Sequence, residues 1–377
     1  MSEREIVLYT PRASYYVGGG EKVPIEQARE LSNLGHRVHF VTQKVLETEQ
    51  SSLYGNFKAN KQSGVIVHEV PIEKYGAPHQ VDPEIDTSVW NLESLAFASA
   101  TSVLMKTINP DTVLSYYLLD GLFKVHKGSN LIYLLGNPPE TLQLGNPMMG
   151  MYDVDISISS VVQNHWQQYI PEKKIRYLLP TGVELPKESE LKNKEPSKQV
   201  LFVGRLIERK GVTTLLHAFT KVLSNNPSAF LTIAGDGPMR STLEKLTGEL
   251  QIQDRVLFTG FVDSKQLQGL FNNSDVCVFP SYEGEGLLGV VLESMAAAKA
   301  VIATTNNGNE DVIVSNNNGV LVKPRDVETL AINMNILLSK PEFAKMLGVR
   351  ARKSVQDNLT WKQHTKKLSA IMDEVKK

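Results

Sequence analysis

The sequence predicts an α/β protein made of two doubly wound domains in succession, and three observations carry that expectation. Short apolar runs of strand length alternate with longer runs of helical period, the pattern of a parallel sheet with helices on its faces. The alternation stops once, at the polar, proline-bearing stretch "PTGVELPKESELKNKEPSK", and then restarts. A chain of 377 residues also exceeds what one ordinary core supports, so two domains of about 150 to 190 residues are expected. The boundaries that follow are a first domain over 1–184, completed by 360–377, a linker over 185–198 and a second domain over 199–359.

In the first half, "EIVLYT" reads as a strand and "EKVPIEQARELSNLG" as a helix closed by Gly35. "RVHFVTQ" is a strand, "NLESLAFASATSVLMKTI" a helix, and "DTVLSYY", "NLIYLLG" and "DISISS" are strands. After the linker come the strand "QVLFVGR", a helix over "GVTTLLHAFTKVL", the strand "AFLTIAG", a helix over 239–250, and the strands "RVLFTGF" and "DVCVFP". A loop and helix in "SYEGEGLLGVVLESMAAAKAVIAT" and a strand in "GVLVKP" complete the alternation, and the asparagine clusters at 306–309 and 316–318 read as turns. In such sheets ligands sit at the carboxyl ends of the strands, and two of them in one chain imply a cleft between domains.

Composition narrows the function. Apolar residues make up 41% of the chain, as in a globular enzyme. A net charge of −1 gives no electrostatic reason to expect nucleic acid. No apolar run approaches the roughly 18 residues that span a bilayer, and the opening "MSEREIVLYTPR" does not read as a signal peptide. One cysteine, Cys277, cannot form an internal disulfide, so a reducing, cytoplasmic setting is expected.

Several motifs bear on chemistry. "YVGGGEKVPIEQA" places Gly18, Gly19 and Gly20 between the first strand and its helix, where bare amides can meet phosphate oxygens. The dinucleotide fingerprint fails there, because Val23 stands where its third glycine belongs, and a plain tight turn is the alternative. "FVGRLIERKGV" sets Arg205 past a strand and Lys210 five residues on, two cations able to neutralise a diphosphate unless the loop is simply solvated. "IAGDGPMRSTL" is a second glycine-rich turn, at Gly235. Glu285 and Glu293 are eight apart, Glu283 and Glu293 ten. A helix starting near Gly289 puts Glu293 just past its first turn and Glu285 in the loop before it. Acids so placed suit separate hydroxyls of one long ligand better than the two flanks of a glycosidic bond. A solvated loop acid is the plainer reading of Glu285, whereas Glu293, among small apolar residues, needs a partner. Asp153 and Asp155 have the Asp-x-Asp spacing of a divalent-metal pair, but nothing nearby supplies further ligands. His36 and His39 read as a strand edge rather than a metal site.

Taken together, "GGGEKV", "FVGRLIERKGV", "IAGDGP", "VLFTGF" and "EGLLGVVLESMA" stand in the order and spacing of the retaining GT-B glycosyltransferases of the Glu-x7-Glu family (family four, group 1). The sequence resembles that family over nearly its whole length, and "LTWKQHTKKLSAIMDEV" looks like the family's C-terminal helix that crosses back to the first domain. The resemblance implies a GT-B fold of two Rossmann-like domains. It pairs Glu285, not Glu283, with Glu293. It implies that Glu285 and the amides of Leu287, Leu288 and Gly289 hold the donor sugar, that Glu293 holds the ribose, and that Arg205 and Lys210 clamp the diphosphate. The Gly18–Gly20 loop would face that diphosphate, and Phe261 and the Gly235 turn would lie near the base. Glu285, Arg205 and Lys210 are thus the implied catalytic residues. The family is thought to retain anomeric configuration by front-face attack, the leaving phosphate taking the acceptor's proton, with no metal and no cofactor.

Some positions depart from the family pattern. Tyr116 and Gly136 stand where histidine is frequent, Thr181-Gly182 replaces Asn-Gly, and Leu288 replaces a glycine. They leave the donor half intact and bear on the acceptor side, where Tyr116 and Asn137 are the candidates. Transfer of a hexosyl group from a nucleotide sugar, a UDP-sugar first, to a hydroxyl acceptor (glycan, lipid-linked saccharide or small molecule) is the resulting expectation. Three alternatives stand beside it: a GDP-mannose-dependent mannosyltransferase, a non-catalytic partner that kept the donor pocket, and a sugar-nucleotide epimerase, for which no acid–base set is visible. Partners are a nucleotide-sugar donor and an unknown acceptor, with no nucleic acid, and peripheral contact with the inner membrane face stays open, as does the oligomeric state.

Overall fold

In the computed structural model, the residues described are 3–16, 20–60, 64–72, 88–116, 126–136, 150–170, 175–191, 195–282 and 285–375. Gly18, Gly19, Asn137 and Glu283 lie outside them. The chain divides into two compact units, Met1–Gly182 with Trp361–Lys377, and Val183–Thr360. The polar stretch 185–198, expected as a linker, is counted with the second unit. Arg352 anchors it there, donating to the Pro186 carbonyl at 2.7 Å and pairing with Glu188 at 3.0 Å.

The first unit holds the strands β1 (Glu5–Tyr9), β2 (Arg37–Gln43), β3 (Ile66–Val70), β4 (Thr112–Ser115), β5 (Ser129–Leu134), β6 (Val154–Ser157) and β7 (Ile175–Leu178). Their order is β3-β2-β1-β4-β5-β6-β7, every pair parallel. The helices α1 (Lys22–Asn33), α2 (Ser52–Ala59), α3 (Ser88–Ile108) and α4 (Ser160–Trp166) accompany it. Central strands of a sheet covered on both faces read as continuous apolar runs, and Ile6, Val7 and Leu8 are fully buried. Phe97 and Met105 of α3 pack with Val7, Tyr9, Val41 and Val113 on one face. Gly35, at φ +89°, ends α1 in a left-handed conformation that glycine adopts without strain.

Two local readings change. The run "DISISS" stays a strand only to Ser157, because the Ser159 hydroxyl accepts from the Val162 amide and caps α4 instead. His39 is not at an edge: β2 lies between β1 and β3, and His39 is hydrogen-bonded to Glu5 on one side and at 2.7 Å to His68 on the other.

The second unit holds β8 (Gln199–Val203), α5 (Val212–Asn225), β9 (Phe230–Ala234), α6 (Arg240–Glu249), β10 (Val256–Gly260), α7 (Ser264–Asn273), β11 (Val276–Phe279), α8 (Gly289–Ala296), β12 (Ala300–Thr304), β13 (Val320–Val322), α9 (Val327–Ser339) and α10 (Pro341–Asn358). The strand order is β10-β9-β8-β11-β12-β13, again parallel. One core runs through Phe202, Leu215, Phe219, Ile233, Val278, Ile302, Met334 and Leu347. α7, α9 and α10 were not read from the sequence, yet each carries a start signal: the reciprocal Asp263–Gln266 capping box, the Asp326 cap and Pro341 in the first turn.

The last helix, α11 (Trp361–Val375), belongs to the first unit, packed along α1. A buried chain of neutral groups ties it there. Tyr116 donates its hydroxyl proton to Gln27 Oε1, Gln27 Nε2 meets His364 Nε2 at 2.8 Å, and His364 Nδ1 donates to the Pro180 carbonyl at 2.8 Å. Donation to Pro180 requires a proton on Nδ1, so a neutral ring accepts from Gln27 through Nε2. Burial lowers the His364 pKa to about 4. The folded state therefore binds its proton less readily than the unfolded chain, whose histidine titrates near pH 6.5. Stability is full above about pH 6.5 and falls as the pH drops toward 4, by an expected total of about 3 kcal/mol. Urea unfolding across this window, compared with His364→Gln, should show the wild-type curve steeper by up to one proton per molecule. Equal slopes would contradict the neutral, buried ring.

Candidate functional site

A doubly wound sheet opens a crevice where the strand order reverses, because the loops on either side lead off to opposite faces. In the second unit the reversal lies between β8 and β11. The loop after β8 runs from Gly204 to Lys210, Pro280–Tyr282 follow β11, and Glu285–Leu288 lead into α8. Both carry expected site residues.

The first loop is held from beneath. Leu206 is fully buried, its amide donates to the Asp236 carbonyl at 2.9 Å, and its own carbonyl accepts from the Met239 amide at 3.0 Å. The loop is thereby stitched to the Gly235 turn after β9, while Arg205 next to Leu206 stays exposed and, among the described residues, forms no ion pair. A short 3-10 turn over Glu208–Lys210 follows, and Gly211 at φ +69° closes it. A Cβ at Gly211 would sit 2.0 Å from the Pro280 carbonyl oxygen. Only glycine combines that conformation with that approach.

The turn aims two cations at one acid. Arg209 Nη1 lies 2.7 Å and Lys210 Nζ 2.8 Å from Glu285 Oε1. These are ion pairs rather than well-aligned hydrogen bonds at that oxygen. The Glu285 side chain is 9% exposed. Burial pushes the Lys210 ammonium pKa down, and the Glu285 carboxylate opposes that shift. Glu285 is set by its backbone as well: its amide donates to Asn307 Oδ1 at 3.2 Å and its carbonyl accepts from the Gly308 amide at 3.3 Å. Asn307 in turn donates to Thr304 Oγ1 at 3.0 Å and to the Thr305 carbonyl at 3.1 Å, tying the loop after β11 to the end of β12. Tyr282 secures the other side, its amide donating to the Arg209 carbonyl at 2.7 Å and its ring lying under the Arg325 guanidinium at 4.3 Å.

Leu287 and Leu288 are buried and lead into α8, whose first turn has no side-chain cap. Glu293, half-buried, is the fifth residue of that helix. Phe261 follows β10 with 79% of its surface exposed, and the Gly235 turn follows β9. The expected residues of this unit therefore all lie at strand carboxyl ends or at the start of α8, and the structure joins Lys210 directly to Glu285. Arg209 and Asn307 were not expected. Arg209 adjoins Lys210, so a second cation in that turn was visible, but that both reach the acid depends on the Gly211 turn. Asn307 read as an ordinary turn residue.

In the first unit the order reverses between β1 and β4. Gly20 lies in the loop after β1, and Tyr116 directly follows β4. Tyr116 is only 4% exposed, and its hydroxyl is engaged by Gln27, so in this structure it is a buried link rather than an open contact. Burial raises its phenol pKa well above the ordinary value. Gly136 is exposed, and its carbonyl accepts from Trp166 Nε1 at 2.7 Å. Asp153 accepts from the Asn130 amide at 2.8 Å, and Asp155 is buried within β6. Among the described residues no cluster of three or more histidine, cysteine or acidic side chains is arranged to hold a metal ion.

Residues 185–354 match the family model described as glycosyl transferases group 1. The second unit belongs to this family. An uncharacterized glycosyltransferase of Methanocaldococcus jannaschii is 34% identical over 50% of this chain and 46% of its own length. A second uncharacterized glycosyltransferase of that organism is 26% identical over 62% of this chain, which spans 61% of it, so the chain covers about half to three fifths of these two relatives. The N-acetyl-alpha-D-glucosaminyl L-malate synthase of Bacillus anthracis is 25% identical over 90% of each chain. Among solved structures, the Anabaena protein HepE in complex with UDP-glucose superposes with a TM-score of 0.76 over 98% of this chain and 100% of that one, at 15% identity. That likeness establishes the GT-B fold of two Rossmann-like domains, which the seven- and six-stranded parallel sheets of the described residues match.

Gly211→Ala should expose the constraint on the cation turn. The left-handed backbone and the clash with Pro280 predict a loss of about 2–4 kcal/mol in unfolding free energy. Chemical denaturation of the variant measures it, and a loss under 1 kcal/mol would mean the turn is looser than its contacts imply.

Proposed function

We propose that the chain transfers a hexosyl group from a nucleotide sugar to a hydroxyl acceptor. The observation that carries this reading is the cluster of Arg209, Lys210 and Glu285 at the β8/β11 reversal, beside the start of α8, whose first turn has no side-chain cap. A helix N-terminus and nearby cations favour a diphosphate, and a carboxylate within the same crevice favours sugar hydroxyls.

In the reaction the bond between the anomeric carbon and the phosphate oxygen breaks, its electron pair remaining on the diphosphate, and the acceptor oxygen bonds that carbon. The acceptor's proton passes to the departing phosphate. Arg205 and Lys210 stabilise the charge that develops on the diphosphate. Glu285 holds sugar hydroxyls and faces the positive character that grows on the ring. Glu293 holds the ribose, the amides of Leu287, Leu288 and Gly289 meet sugar or phosphate oxygens, and Phe261 and the Gly235 turn border the base. Because fixed cations already supply the leaving-group stabilisation, we propose no metal requirement, and because the acceptor hands its proton to the departing phosphate, attack comes from the same face and configuration is retained. A UDP-sugar is the first donor to test, in keeping with the UDP-glucose bound by HepE.

A thermal-shift screen of UDP-, GDP- and ADP-sugars selects the donor, since a ligand bound only to the native state raises the melting temperature. With that donor, Glu285→Gln should lower kcat by roughly 30- to 1000-fold, the range for loss of one charge-stabilising group of about 2–4 kcal/mol. Glu293→Gln should instead weaken nucleotide affinity, because ribose contacts are equal before and during reaction. The roles are misassigned if the two variants show the reverse pattern. Activity should also survive EDTA, and a loss restored by Mg²⁺ or Mn²⁺ would overturn metal independence.

A further inference from the structure

Three cations of the loop after β8 share one neighbourhood. Arg209 Nη1 lies 2.7 Å and Lys210 Nζ 2.8 Å from Glu285 Oε1, and Arg205 and Arg209 both act on the Lys210 ammonium as like charges. These four groups together carry two positive charges in excess of the carboxylate. A nucleotide sugar has one ionised oxygen on each phosphorus of its diphosphate, which matches that excess. Arg205, Lys210 and Glu285 without Arg209 fall one positive charge short of the match.

We infer that Arg209 is a further donor-binding residue, whose guanidinium Glu285 holds until a diphosphate takes it over, an inference that rests on the nucleotide-sugar reading above. A guanidinium presents five N–H donors in a planar fork, so Arg209 can meet a phosphate with one edge while another leaves the acid. Its side chain is 30% exposed, against 9% for Glu285, so the cation is the more accessible member of the pair. Its carbonyl accepts from the Tyr282 amide at 2.7 Å, which fixes the backbone and confines the exchange to the side chain. Glu285 then has an effect opposite to that of an ordinary ligand-binding acid. Seated on both cations, it competes with any phosphate that reaches them.

The test is the affinity for UDP, GDP and ADP, measured by isothermal titration at one salt concentration, the tightest of the three serving as probe. These diphosphates lack the sugar, so the sugar contacts of Glu285 do not enter. Arg209→Gln should weaken probe binding about tenfold, because one cation facing the phosphates is lost. Glu285→Gln should strengthen it about tenfold, because the competing charge is lost while both cations stay. In the Arg209→Gln background the gain from Glu285→Gln should shrink to about threefold, since only Lys210 is then released. A merely structural role for the two ion pairs weakens binding in every variant and strengthens it in none. Melting curves establish that each variant is folded, and Glu285→Ser carries the same expectation where Glu285→Gln does not fold. Probe binding that is unchanged or weaker in Glu285→Gln overturns the inference, and so does a gain as large without Arg209 as with it. If the wild type binds none of the three diphosphates, the nucleotide-sugar reading fails and takes this inference with it. Wild-type binding with no gain in Glu285→Gln removes this inference alone.

Discussion

A carboxylate that has lost nearly all contact with water must be neutral or closely paired, and Glu285 is paired twice through a single oxygen. Much of the second unit follows from that requirement. The two cations can reach the acid only because the loop after β8 folds into a 3-10 turn and reverses at Gly211 against the Pro280 carbonyl. The acid can stay in place only because Asn307 holds its amide from the end of β12. Three consecutive strands in space, β8, β11 and β12, thus each contribute one part of a single electrostatic arrangement.

The first unit solves a different problem at its own strand reversal. Besides the buried Arg12–Glu93 ion pair that follows β1, a phenol, an amide and an imidazole are linked there in a neutral chain that ends on the Pro180 carbonyl. Neutral hydrogen-bonded groups carry a much smaller desolvation cost than ions, so they can be sealed in. Tyr116, one of the departures from the family pattern, is part of that seal. Its hydroxyl serves Gln27 of α1 and through it His364 of α11.

Much of this was legible in the chain. The alternation of apolar strands with helical periods determined the fold class, since a strand buried on both faces must be apolar throughout. The order of the glycine, cation and acid motifs put the candidate residues of the second unit at strand carboxyl ends and the start of α8, because local turn chemistry places them there. Capping signals at Asp263, Asp326 and Pro341 were present for α7, α9 and α10. Tertiary structure alone decided the partners. Arg209 and Glu285 are 76 residues apart, Glu285 and Asn307 are 22 apart, and Gln27 and His364 are 337 apart. Such pairs depend on which strands become neighbours and on how a turn rotates one side chain past the next. A local pattern constrains backbone conformation and burial, but the direction of a charge is set only when its distant partner arrives.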